Sequence, residues 1–202
     1  MKKLILSLAA AFLAVSGASA KTLVAYFSFP INSGKEALDA SSGASVVPGT
    51  NGEGNAEFIA KTVARTLGSE ADLFKIDSGN HYPADYKKIF DVSRDEQRKN
   101  VRPNLLQHIS QADMKNYDRV VICTPIWWYK MPLAVQSFLD EYDLSGKTIY
   151  LSVTHGGSGI GGIDREIAAA EPKATVSRNT LAVSRRDTAK SEKRIEDWAK
   201  SF

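Results

Sequence analysis

The sequence predicts an α/β domain built on a doubly wound, five-stranded parallel sheet with helices on both faces. After residue 20, apolar strand-like runs alternate five times with segments of helical periodicity, and this alternation calls for right-handed crossovers over a parallel sheet. The strand runs are continuously apolar, as in residues 120–123, Val-Val-Ile-Cys, which is typical of strands buried on both faces. Glycine-rich or aromatic loops follow several strands, and ligands of such sheets bind at that edge.

Residues 1–20 have the pattern of a secretory signal peptide. Lys2 and Lys3 precede an apolar run over residues 4–15, and Ala18-Ser19-Ala20 follows it, so basic, apolar and cleavage regions are all present. The apolar run is shorter than a bilayer-spanning helix needs. We therefore expect an exported protein, periplasmic or secreted, with a mature domain at residues 21–202. Retention of the segment as an N-terminal helix is the alternative.

Composition argues against several function classes. The chain has 26 basic and 23 acidic residues, which become 24 and 23 without Lys2 and Lys3, and like charges form no long run; a nucleic-acid partner is not expected. Cys123 is the one cysteine in the sequence, so an intrachain disulfide is excluded. No two Cys or His residues have metal-ligand spacing, so no metal site is expected.

Periodicity and turn residues predict the elements of the first half of the chain. Residues 21–27 form the first strand. Residues 29–53 are rich in Ser, Gly, Asn and Pro and form a long loop insertion, with one helical turn at 35–40; loops of this length are usually functional. A helix over residues 54–68 has apolar side chains at helical spacing and ends at a glycine. Residues 71–76 form the second strand.

The second half of the chain continues the alternation of strands and helices. The predicted helices are residues 84–100, 105–112, 133–142, 163–170 and 188–200. The predicted strands are residues 119–123, 148–153 and 180–183. Thr124-Pro125 ends the third strand, because proline has no N–H for the sheet ladder.

The loops after the first, third and fourth strands carry the candidate binding groups. In a sheet of order 2-1-3-4-5 these strands are neighbours, so we expect their loops to surround one pocket. Ser28 and the helix start at residues 54–57 offer a hydroxyl and unpaired N–H groups, which attract phosphate. Residues 124–129 offer a wall of aromatic side chains, and residues 154–162 offer backbone amides that glycine lets approach closely. These three groups together predict an FMN site; aromatic residues that only cap the core are the alternative.

Short motifs along nearly all of residues 21–202 are more specific than periodicity. They are Ser28 after the first strand, Gly54-Asn55-Ala56, Tyr82-Pro83-Ala84-Asp85-Tyr86, Arg102-Pro103, Thr124-Pro125-Ile126-Trp127-Trp128, Ser145-Gly146-Lys147 and Thr154-His155-Gly156-Gly157-Ser158-Gly159. Together they resemble the flavodoxin-like family of bacterial FMN proteins. The resemblance implies a flavodoxin-like FMN-binding domain over residues 21–202.

The resemblance also implies roles for individual residues. By this resemblance, the FMN phosphate is held by Ser28, Asn55 and Ala56. The isoalloxazine is lined by Pro125, Ile126, Trp127 and Trp128, and its pyrimidine edge lies near His155, Gly156 and Gly157. Gly54 and Thr124 complete the candidate cofactor-binding set. Two positions depart from the family pattern: Ala56 stands where a hydroxyl residue is usual, and Tyr129-Lys130 replaces a small residue.

An FMN site leaves three functions open. The protein transfers electrons to a redox partner, reduces a small acceptor such as a quinone, or is a flavodoxin-shaped binding module that has lost FMN, as Ala56 and Tyr129 would allow. Electron shuttles usually carry a strong field of one sign, so the near-neutral charge favours a reductase or an exported electron-transfer protein with unusual partners. His155 is either a proton donor to reduced flavin or a loop residue that donates one hydrogen bond.

Two other motifs indicate different classes of protein, a dinucleotide-binding protein and an esterase, and their support is weaker than that for an FMN site. Residues 157–162 match G-x-G-x-x-G, but they follow the fourth strand, and residues 176–186 contain no acidic side chain to hold a ribose. A dinucleotide site is therefore the less favoured alternative. His155-Gly156-Gly157 is similar to an esterase oxyanion loop, but the chain has no G-x-S-x-G elbow. We expect Ser158 to serve at the start of a helix instead.

Overall fold

The computed structural model describes residues 21–29, 46–83 and 85–202. The predicted signal peptide at residues 1–20, the predicted helical turn at 35–40 and Ala84 lie outside the described residues, as does most of the predicted loop insertion. No helix in the described ranges has the length and apolar character needed to cross a membrane.

The described residues form one parallel sheet of six strands. The strands are β1 (Thr22–Tyr26), β2 (Ala71–Lys75), β3 (Arg119–Pro125), β4 (Thr148–His155), β5 (Thr175–Val176) and β6 (Leu181–Ser184). Their order is β2-β1-β3-β4-β5, and β6 also pairs with β4. The predicted order 2-1-3-4-5 is confirmed, with the switch point between β1 and β3.

The fifth position of the sheet is divided, whereas we predicted a single strand at residues 180–183. β5 pairs with Thr148 and Ile149 of β4, and β6 pairs with residues 152–155 of the same strand. Between them the backbone turns, and the N–H of Asn179 donates to the Ser177 hydroxyl at 3.1 Å. A two-residue strand has no alternation to detect, so the pairing with β4 alone identifies it.

The helices of the described residues cover both faces of the sheet, as predicted. They are α1 (Asn55–Leu67), α2 (Tyr86–Lys99), α3 (Gln111–Met114), α4 (Leu133–Glu141), α5 (Ile163–Ala170) and α6 (Glu192–Ala199). The core on one face joins β-strand residues to α2, α4 and α5, and the core on the other face joins them to α1 and α6. Alternate residues of β1 divide between the two cores: Leu23, Ala25 and Phe27 belong to the first, and Val24 and Tyr26 to the second.

The predicted helix at residues 105–112 is wrong. Only α3 is helical there, and the preceding backbone bonds to neighbouring elements instead. The N–H of Leu106 donates to the Asp77 carbonyl at 2.7 Å, and the N–H of Ile109 donates to the Tyr142 hydroxyl at 2.9 Å. The bond from Ile109 uses an N–H that would otherwise donate to the carbonyl of residue 105 in a helix. The predicted closing helix at 188–200 is also shorter, because residues 188–190 form a 3-10 turn before α6.

Candidate functional site

Strand register aligns the carboxyl ends of β1, β3 and β4. Tyr26 lies opposite Cys123, and Pro125 lies opposite Thr154. Ser28 follows Tyr26 by two residues, so it reaches the level of Pro125 along the sheet. The loops that the sequence singled out therefore begin side by side at one edge.

Ser28 and the start of α1 provide the polar groups on the α1 face of this edge. Ser28 is only 6% exposed, and its Oγ has no hydrogen-bond partner among the described residues. Gly54 precedes α1 in an extended conformation and caps the helix with no side chain, so the helix presents the positive end of its dipole and N–H groups without intrahelical partners. Asn55 and Ala56 are buried in the first turn. A hydroxyl and a helix start of this kind fit a phosphate group.

A short hairpin-like segment holds Gly54 in place. Val46 pairs with Gly54 in an antiparallel bridge, and the N–H of Val47 donates to the Glu53 carbonyl at 2.8 Å. The Lys61 ammonium lies 2.7 Å from the Glu53 carboxylate and 2.8 Å from that of Glu57. These hydrogen bonds raise the pKa of Lys61. The ammonium offsets two negative charges that would otherwise repel an anion near the helix start.

The aromatic loop divides its two tryptophans between different environments. Trp127 is 1% exposed, and its ring makes edge contacts with Phe27 at 5.3 Å and Tyr82 at 5.0 Å between centroids. Its Nε1 has no hydrogen-bond partner within the described part of the chain. Trp128 is half-buried and donates from Nε1 to the Ser93 Oγ at 3.0 Å. Trp127 thus packs as a core side chain under the rim, and stacking of either indole on a flavin stays a prediction.

A two-residue hairpin follows Trp127 and carries the exposed part of this loop. The N–H of Trp127 donates to the Lys130 carbonyl at 3.0 Å, and the N–H of Lys130 donates back at 2.9 Å. Trp128 and Tyr129 occupy the turn with φ of 55° and 59°, as in a type I′ turn. The Tyr129 side chain is 77% exposed.

His155 ends β4 and begins the third loop. The N–H of Gly157 donates to its Nδ1 at 3.1 Å, so the imidazole carries its proton on Nε2. Burial and the charge of Arg194 lower the pKa of His155, which keeps the ring neutral near pH 7. The residue is half-buried, and its Nε2–H is a hydrogen-bond donor.

Glycine is favoured where the third loop passes the second. A Cβ on Gly161, at φ 62°, would lie 3.0 Å from the Cδ1 of Ile126. Glycine at this position therefore lets the two loops approach one another. The helix after this loop begins at Ile163, with Gly162 before it. The expectation that Ser158 serves at the helix start is thus wrong, because four residues separate it from α5.

The sequence reasoning missed a buried network behind Trp127, which the exposed His81 joins from the surface. The Tyr82 hydroxyl donates to the Glu96 carboxylate, with distances of 3.0 and 2.9 Å to its two oxygens, and the Nε2 of His81 lies 2.9 Å from the Oε1. Burial raises the pKa of Glu96 and, together with the Glu96 charge, that of Tyr82. No sequence signal marks Glu96, since α2 is charged along most of its length.

The network supports the aromatic residues of the rim. The Tyr82 ring makes edge contacts with Phe27, Phe29 and Trp127 at centroid distances of 5.6, 5.8 and 5.0 Å. Because the Tyr82 hydroxyl is held by Glu96, the ring is fixed in this cluster. The network therefore positions side chains below the site.

The sequence model of the family described as Flavodoxin matches residues 45–201. No curated protein matches the chain. The fold is similar to that of a candidate flavoprotein from Bacteroides eggerthii DSM 20697, with a TM-score of 0.65 and 24% identity over 90% of this chain and 97% of that one.

Two further solved structures have the same fold. A candidate flavoprotein from Bacteroides uniformis ATCC 8492 matches with a TM-score of 0.62 and 23% identity, covering 90% of this chain and 98% of that one. A flavoprotein in complex with FMN from Lactobacillus acidophilus NCFM matches with a TM-score of 0.57 and 18% identity, covering 85% and 98%. At these identities the likeness establishes the fold, and the predicted flavodoxin-like class is confirmed.

Proposed function

Since this chain belongs to the flavodoxin family, we propose that it binds FMN at the carboxyl edge of the sheet and reduces a small acceptor such as a quinone. The observation that carries the proposal is the buried Ser28 hydroxyl, which has no partner in the described ranges and stands on the same face as the start of α1. Buried polar groups are seldom left without a partner. A phosphate group would supply one.

The protein's own groups divide the work of holding the cofactor. Ser28 would donate its hydroxyl hydrogen to a phosphate oxygen, and the first N–H groups of α1 would donate to the others. Ala56 brings no hydroxyl, so the backbone and Ser28 carry this end of the site. Bound FMN supplies reversible electron transfer on its ring. His155 would offer its Nε2–H to an acceptor atom of the ring, because its Nδ1 is engaged by Gly157.

The charge of the chain supports a small acceptor over a protein partner. Basic and acidic residues number 26 and 23. Charges on α2 are arranged in local pairs, with Arg94 3.3 Å from Asp91 and Lys99 3.5 Å from Asp95. Such a surface has little net field, and protein partners of electron carriers are usually steered by one.

The FMN part of the proposal is tested by titrating flavin into purified protein comprising residues 21–202. Flavin fluorescence is expected to be quenched at one FMN per chain. Riboflavin, which lacks the phosphate, is the matched control and is expected to bind at least roughly tenfold more weakly, since each hydrogen bond to a charged group is worth about 1.5–3 kcal/mol. Equal affinity for the two flavins would rule out the phosphate seat, and absence of binding would support the module that has lost FMN.

Export is a second part of the proposal, and it depends on residues 1–20 alone. The basic start, apolar run and Ala18-Ser19-Ala20 support cleavage before Lys21. Expression of the full chain in a Gram-negative host, followed by fractionation and intact-mass measurement, tests it. A periplasmic product that begins at Lys21 is the expected result. A cytoplasmic product that retains Met1 would contradict it.

A further inference from the structure

The turn at Trp128 and Tyr129 is built from residues that its conformation disfavours. Both have φ in the left-handed region, at 55° and 59°. Side chains other than those of Gly, Asn and Asp are strained there, and type I′ turns usually contain Asn-Gly. The two backbone hydrogen bonds between Trp127 and Lys130 hold the turn closed. The chain therefore keeps two large aromatic side chains where small residues would be more stable.

Packing accounts for Trp128 but leaves Tyr129 unexplained. The Trp128 indole donates to Ser93, its ring lies 4.2 Å from that of Phe90, and the Arg94 guanidinium lies 5.7 Å from the ring centroid. Tyr129 is 77% exposed and makes no hydrogen bond or ring contact with the described part of the chain. Its ring contributes little to folding, so the strain at this residue is not offset by packing. Strain of this kind usually persists at functional positions.

Tyr129 also stands next to the proposed flavin site. It follows Ile126 by three residues, and the N–H of Ile126 donates to the Thr154 carbonyl at 3.1 Å, at the carboxyl edge of the sheet. A molecule that approaches this rim meets an exposed aromatic ring. Charged groups around this loop carry both signs: Lys130 stands in the same turn, the Glu166 carboxylate accepts from the N–H of Met131 at 2.9 Å, and the Arg94 guanidinium lies beside the Trp128 ring.

We propose that Tyr129 is the contact residue for the electron acceptor, and that the acceptor is a flat aromatic molecule of the quinone class that stacks on the exposed ring. The proposal rests on the proposed FMN function. With FMN bound and reduced, two electrons and two protons would pass to the quinone, giving a hydroquinone and oxidised FMN. One exposed ring without a surrounding charged field suits a small planar ligand better than a protein surface.

Three substitutions separate the effect of the Tyr129 ring from the effect of the backbone strain at this residue. Tyr129→Phe keeps both, Tyr129→Ala removes the ring and keeps the strain, and Tyr129→Gly removes both. Leu106→Ala is the matched control, because Leu106 is another exposed apolar residue, at 66%, outside the aromatic loop. Without flavin, Tyr129→Gly is expected to melt roughly 2–4 °C above Tyr129→Ala, since glycine is free at this φ. Equal melting temperatures would overturn the strain argument.

The contact itself is tested with FMN-loaded protein reduced by dithionite and mixed anaerobically with 1,4-naphthoquinone-2-sulfonate or with ferricyanide. Tyr129→Ala and Tyr129→Gly are expected to lose roughly three- to tenfold in the rate constant with the quinone. Tyr129→Phe and Leu106→Ala should keep the wild-type rate with both acceptors, and no variant should change the rate with ferricyanide, which has no ring to stack.

Binding without turnover gives an independent readout. In oxidised protein labelled with ¹⁵N, the quinone is expected to shift the indole signal of Trp128, beside the contact, and to leave it unshifted in Tyr129→Ala. If Tyr129→Ala keeps the wild-type rate with the quinone, the contact is overturned while the flavin assignment stands. If the wild type takes up no FMN, the proposed function fails first, and the melting comparison still tests the strain.

Discussion

Ser28 and Glu96 are buried to nearly the same extent, at 6% and 5% exposed, yet they differ in their hydrogen-bond partners. The Glu96 carboxylate accepts a hydrogen bond from Tyr82 and contacts His81, whereas the Ser28 hydroxyl has no partner in the ranges that the structure describes. A buried polar group without a partner loses the free energy of its bonds to water. The Glu96 network thus serves the fold, while the Ser28 edge is suited to a ligand.

Lack of a partner alone does not mark a ligand site. The Thr22 hydroxyl, at the other end of β1, is also buried without a hydrogen bond to any described residue. It lies beside Ala71 and Arg119, where β2 and β3 begin. Ser28 differs because it lies at the carboxyl edge and on the face of the α1 N-terminus, where donors converge. Thr22 is therefore a natural control for Ser28.

Tyr82→Phe is expected to give the largest effect, because it removes a donor from a buried carboxylate. We expect the free energy of unfolding to fall by about 3 kcal/mol, measured by urea denaturation of the flavin-free protein. Tyr150→Phe is the matched control, since the Tyr150 ring stacks on Phe202 at 4.2 Å and no hydrogen bond joins its hydroxyl to a described residue. It should cost less than about 0.5 kcal/mol. Equal losses in the two variants would show that the network adds no stability.

Ser28→Ala is expected to act on the ligand and spare the fold. The FMN dissociation constant should rise roughly ten- to a hundredfold, as for a lost hydrogen bond to a charged group, while riboflavin affinity stays unchanged and the free energy of unfolding of the flavin-free protein stays the same or rises, because a buried hydroxyl without a partner among the described residues is removed. Thr22→Val should leave both flavin affinities unchanged. Isothermal titration calorimetry of the two variants measures this. A weaker FMN affinity in Thr22→Val, or an unchanged one in Ser28→Ala, would remove the distinction between the two hydroxyls.

His155→Asn is expected to have the smallest effect, on the pH dependence of stability. Burial and the Arg194 charge lower the pKa of His155 in the folded state, so the unfolded chain, with a pKa of about 6.5, binds the proton first as the pH falls. The stability that neutral His155 contributes is thus present above about pH 6.5 and is lost on acidification below it. Urea denaturation between pH 5 and 8 should show a shallower acid loss in the variant than in the wild type. An identical loss would mean that His155 does not contribute to the pH dependence of stability between pH 5 and 8.

Elements with a strong local signal were predicted closely. The helix expected over residues 54–68 is observed as Asn55–Leu67, followed by Gly68, because apolar spacing and a terminal glycine act within the segment itself. The strand at residues 148–153 extends in the structure to His155. Elements with a weak local pattern were predicted wrongly. β5 forms because it pairs with β4, and the backbone over residues 105–110 forms hydrogen bonds to Asp77 and Tyr142 in place of a helix.

By itself, the sequence determined the alternation of strands and helices and the loops that follow the first, third and fourth strands, since continuous apolar runs and glycine or proline breaks act over a few neighbouring residues. Tertiary structure decided which polar groups find partners. His81 and Tyr82 meet Glu96 from 15 and 14 residues away along the chain, and Ser28 gains no partner from the rest of the described chain. Whether a buried polar atom finds a hydrogen-bond partner depends on which distant segment packs against it. A local sequence pattern carries no information on that packing.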